Sequence, residues 1–146
     1  MASLVEELVN VLEAEKKIYT TLIDYEERKK DVLIAADVSA LEAITTKEQL
    51  AGDELIACSN KQIQILKDIA VVLGRNDGKM TVTRLISLLD TQPDVQKQLT
   101  ESRDSLLEAA NQMKSLSDQN AILIRQAIEL NEFDMTLFKS LRQAPE

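Results

Sequence analysis

Residues 99–141 read LTESRDSLLEAANQMKSLSDQNAILIRQAIELNEFDMTLFKSL, and neither proline nor glycine interrupts them. Every seventh position from Leu99 gives Leu99, Leu106, Met113, Asn120, Ala127, Asp134 and Leu141. The row three residues on gives Ser102, Ala109, Leu116, Leu123, Leu130 and Leu137. Two such rows form the seam of a helix packed in a bundle. From Ile124 a further row runs beside them through Ile128, Asn131, Met135 and Phe138. A single seam needs no such companion, so the extra width predicts a surface kept for a partner.

The rest of the chain fits a helical reading. Only three glycines, two prolines and 3% aromatic residues occur among 146. A β-rich fold would need far more turn formers. The first helix is expected over about 3–36, with Ser3 and Glu6 spaced as a capping box. Its inward row is Leu4, Leu8, Val11, Ile18, Leu22, Tyr25 and Val32, widened by Val5, Leu12, Tyr19 and Leu33. A second helix is expected over about 39–73, capped by Ser39 with Glu42. It places Leu41, Ile44, Ala51, Leu55, Cys58, Ile65, Ile69 and Val72 inward.

Gly74 is the natural terminator, and Gly74 to Gly78 is the clearest loop. Thr81 can cap a short helix over about 82–89, with Val82, Leu85, Ile86 and Leu89 lying over the bundle end. Pro93 suits the first turn of the last helix, about 92–141. Its last 43 or so residues, at ~1.5 Å each, would reach roughly 65 Å. The expected fold is therefore all-α: an elongated antiparallel bundle of three long helices and one short one, in a single domain over 1–146. Residues 120–146 would form its partner-binding tail.

Charge and composition exclude several functions. The formal net charge is −8, from 25 acids and 17 bases. The basic clusters Lys16-Lys17 and Arg28-Lys29-Lys30 are flanked by acids, so no phosphate-binding stripe forms and nucleic acid is not an expected partner. No apolar run approaches the ~20 residues that span a bilayer, so no membrane insertion is expected. The start, Met1-Ala2-Ser3-Leu4, lacks the pattern of a secretory signal. With one cysteine there is no intrachain disulfide, in keeping with a reducing cytoplasm.

The chain has no histidine, which removes the commonest general base and the usual zinc ligand. Adjacent acids such as Glu6-Glu7 and Glu26-Glu27 read as solvated faces, and Gly74 to Gly78 matches no phosphate-binding loop. No enzyme activity, cofactor or metal is expected. Cys58, on an inward row, reads as a small buried hydrophobe. Asn120 interrupts the seam either to fix register or to meet solvent. Asp134 either faces solvent near a helix end or marks where packing within the chain stops and a partner begins.

Two stretches resemble the FlgN family of flagellar type III export chaperones. One is the junction Asp31-Val32-Leu33-Ile34-Ala35-Ala36-Asp37-Val38-Ser39-Ala40-Leu41, continuing through Ile44 to Glu48. The other runs from Met113 to Leu130, where Leu116, Asn120, Leu123-Ile124 and Leu130 match the family's spacing. One departure is that Gly74-Arg75 opens a loop where the family continues with aliphatics. The resemblance implies a cytoplasmic chaperone that binds the C-terminal segments of hook–filament junction proteins of the FlgK and FlgL type. It further implies delivery of these clients to the export apparatus, with the last helix as the binding element.

The expected partner-binding residues are therefore Leu123, Ile124, Ile128, Leu130, Met135, Leu137, Phe138 and Leu141. The same residues would also serve a homodimer. From the other class of function, an architectural adaptor or scaffold without a client remains open on pattern alone.

Overall fold

In the computed structural model, residues 1–75 and 78–143 are described. They form α1 (Ala2–Ala35), α2 (Val38–Leu73), α3 (Val82–Leu88) and α4 (Pro93–Gln143), with no strand among the described residues. This is the all-α bundle of three long helices and a short one expected from the pattern. Asn76 and Asp77 of the expected loop lie outside the described residues.

Two of the expected caps move. α1 begins at Ala2 with Met1 as its N-cap and no side-chain cap bond, so Ser3 lies inside the first turn. The α1–α2 turn has the two residues that the expected bounds left for it but falls one residue earlier, at Ala36 and Asp37. Ala36 adopts a left-handed conformation at φ 54°. Its N–H donates to the Leu33 carbonyl, and that of Asp37 to the Val32 carbonyl, closing α1 in a Schellman motif. Asp37 then caps α2, its Oδ1 accepting from the Ala40 N–H at 3.1 Å. This replaces the expected Ser39 cap. Once Ala36 has reversed the chain, Asp37 is the first side chain able to reach the free amides, so Ser39 falls inside the helix.

The other punctuation stands where the sequence put it. Gly74 ends α2 with φ 67°, Thr81 Oγ1 accepts from the Arg84 N–H at 3.0 Å, and Pro93 opens α4. Gln96 ties α4 to α3 by donating from Nε2 to the Ile86 carbonyl at 2.8 Å.

α1 is the central helix, packed along both α2 and α4, while α3 packs against α4. Successive long helices reverse direction, so α1 and α4 run parallel. The core gathers at the α3 end. Leu8 and Leu12 from α1, Ile69 from α2, Leu85 from α3 and Leu99 from α4 are fully buried there. Cys58 is half-buried against this cluster. One inward assignment fails: Val72 is exposed, because α2 has by then turned that position away from α1.

Candidate functional site: the unpartnered end of α4

Beyond Leu22 the bundle grows thin and is held by polar groups. Asn120 of α4, 2% exposed, donates from Nδ2 to the Glu26 carbonyl and to Glu26 Oε2, each at 2.7 Å. Lys29, one turn on from Glu26, reaches Glu48 Oε2 of α2 at 2.8 Å and lies 3.6 Å from Glu26 Oε1. One cluster thus joins all three long helices. Burial raises the Glu48 carboxyl above its ordinary range, the Lys29 bond pulls it down, and nearby Glu26 raises it again. Its Oε1 is buried without a hydrogen-bond partner. Of the two readings of Asn120, register is the one the geometry bears out.

A second polar contact lies nearer the core. Glu15 is buried, and burial pushes its carboxyl up to about 7. With the Gln62 amide nitrogen turned toward it, Gln62 donates to Glu15 Oε1 at 2.6 Å and to Oε2 at 3.1 Å.

The register set by Asn120 fixes where α1 stops covering α4. α1 continues nine residues past Glu26 and ends level with about residue 129 of α4. α4 runs on to Gln143, so about 14 residues, or roughly 21 Å, extend beyond the α1–α2 turn. Every residue from Arg125 to Arg142 is exposed. The seam that packs on α1 thus continues past the end of α1 with nothing to cover it.

Five of the eight expected partner-binding residues lie on this overhang, Leu130, Met135, Leu137, Phe138 and Leu141, and Ile128 stands at its base; each is about half to two-thirds exposed. Leu123 and Ile124 do not belong with them. Both are half-buried, because α1 still runs alongside them there. Phe133 joins the set, although the sequence rows do not include it. It falls on the opposite flank from Met135, yet is 62% exposed. An accounting of every large apolar residue past Asn120, rather than of rows alone, would have found it. Arg142 stacks over Phe138 at 5.5 Å from the ring centroid, shielding one face. Asp134 also sits on the overhang, exposed.

Leu130, Phe133, Leu137 and Leu141 line one side, while Ile128, Met135 and Phe138 line the other. Arg125, Glu129, Glu132 and Lys139 form a polar stripe, and Asn131 and Asp134 lie among the apolar positions. Such an arrangement has the shape of a helix-docking surface and brings no acid, base and nucleophile to one point. Among the described residues no three metal-ligating side chains lie together, and no helix is long and apolar enough to cross a membrane.

A family profile described as "FlgN protein" matches residues 1–146. Comparison with curated proteins and with solved structures gave no match. The match spans the full sequence given and includes both stretches that carry the resemblance, the α1–α2 junction and the middle of α4. The chain therefore belongs to the FlgN family, a non-enzymatic family of flagellar export chaperones that bind export substrates.

Proposed function

We propose that this chaperone holds the C-terminal segments of hook–filament junction proteins of the FlgK and FlgL type in the cytoplasm. It then hands them to the export apparatus. The overhang of α4 is the gripping element, with Ile128, Leu130, Phe133, Met135, Leu137, Phe138 and Leu141 as its anchors. The observation that carries this reading is that α4 outlasts α1 by about four turns while keeping its apolar seam.

Magnitudes agree with a carrier. Fully burying an aliphatic side chain contributes about 1.5–3 kcal/mol, and these anchors are already partly covered by their own helix. Ordering a disordered client tail opposes binding by roughly 2–5 kcal/mol. Several anchors leave affinity in the micromolar to nanomolar range, strong enough to shield a client and weak enough to release it.

The test is a chain ending at Ala127, which keeps Asn120 and the whole bundle. It is expected to retain its helical circular dichroism and lose capture of a purified junction-protein tail. Undiminished capture by that shortened chain would remove the overhang from the mechanism.

A further inference from the structure

A second unfilled surface lies at the opposite end of the molecule. Because α2 and α4 both lean on α1 and barely on each other, an open groove of about 870 Å³ runs between them beside the segment that leads into α3. Leu12 of α1 forms its floor, Ile63 and Val71 line the α2 wall, and Leu107 lines the α4 wall. Ile63, Val71 and Leu107 are about half exposed or more. Its α2 wall runs from Ser59 to Val71, about 18 Å of helix.

The charges around this groove run against those of the chain. Among the described residues Lys67, Lys79 and Arg103 border it and no acidic residue does, although the protein carries a net −8. Lys67 and Lys79 form no ion pair with a described residue. The groove thus fits an apolar helix of net negative charge.

We propose that this groove receives the α4 overhang of a second copy of the chain, two copies joining about a two-fold axis with both grooves filled. This shares with the proposed function only the premise that the overhang is a docking element. The overhang matches the groove in three respects. Residues 128–141 span about 20 Å, close to the length of the α2 wall. Their apolar side chains stand on two flanks of the helix, with Asn131 and Asp134 among them, which suits a site with two walls better than one flat partner. Residues 128–141 carry Glu129, Glu132 and Asp134 against Lys139, a net −2 to set opposite the basic rim.

A chain cannot fill its own groove. Phe133 and Leu106 of the groove wall lie on one α-helix, 27 residues and about 40 Å apart, with no proline or glycine between them. Pairing through two reciprocal contacts consumes both surfaces and closes at the dimer. A client would then compete with the second copy for the overhang.

Sedimentation equilibrium of the full chain, Leu107→Glu and the double variant Leu137→Glu/Phe138→Glu tests this. All three substituted positions are about half exposed, so helicity is expected to be unchanged. The wild type is expected to be dimeric, and each variant to dissociate at least about tenfold more readily. An equimolar mixture of the two variants is expected to regain a dimer, because the overhang of one chain meets an intact groove in the other. A monomeric wild type overturns the proposal, and so does a mixture that stays monomeric. Wild-type-like dimerisation of Leu107→Glu overturns it too, because it would mean overhangs pairing with each other. Capture of a junction-protein tail by Leu107→Glu, measured in parallel, reports separately on the proposed function.

Discussion

The amide of Asn120 on α4 is held at 2.7 Å from both the backbone carbonyl and the Oε2 of Glu26 on α1. No other seam position of α4 has so restrictive a requirement. An aliphatic seam can slide by a turn with little change in buried area, whereas an amide paired to a buried carboxylate cannot. The pair therefore sets how far α4 extends beyond α1.

Replacing Asn120 by alanine leaves Glu26 buried without this donor. The expected loss is about 2–3 kcal/mol of unfolding free energy in urea titration. An unchanged midpoint would mean that the contact does not set the register.

Glu15 makes stability depend on pH in a stated direction. Its carboxyl titrates near 7 in the folded chain against the ordinary 4.5, so the folded state binds the proton more tightly. Its favourable contribution is complete below about pH 4.5 and is lost as pH rises through 7. Glu15→Gln is expected to stabilise the chain at pH 8 by up to about 3 kcal/mol and to have little effect at pH 4. Equal effects at both pH values would contradict this.

The two-residue turn separates two opposing contributions. Asp37→Ala removes the α2 cap and is expected to cost about 1 kcal/mol. Ala36→Gly relieves the positive φ, worth about 1–2 kcal/mol, but adds freedom to the unfolded chain. A net gain of up to about 1 kcal/mol should appear as a higher thermal midpoint.

Core and overhang should respond in opposite ways. Leu99→Ala, in the fully buried cluster, is expected to cost about 2–5 kcal/mol. Ile128→Asp and Phe138→Asp are expected to stay within about 0.5 kcal/mol of wild type while abolishing capture of a junction-protein tail. A large stability loss from either aspartate would show that the overhang packs within the chain.

Helix identity, the Gly74, Thr81 and Pro93 punctuation, and most of the apolar residues of the overhang are legible in the linear pattern, because periodicity and turn chemistry are local properties. The starts of α1 and α2 are not, because several residues near each end can cap a helix and a neighbouring turn selects among them. Phe133 escapes a row search, which registers spacing and not the absence of a covering neighbour. A sequence can show that α4 is apolar over too wide an arc. Only the packing of Asn120 on Glu26, ninety-four positions apart, decides that Leu123 and Ile124 still lie against the bundle while Ile128 and its successors do not. Exposure depends on where another helix ends, and that is settled by contacts between residues distant in the chain.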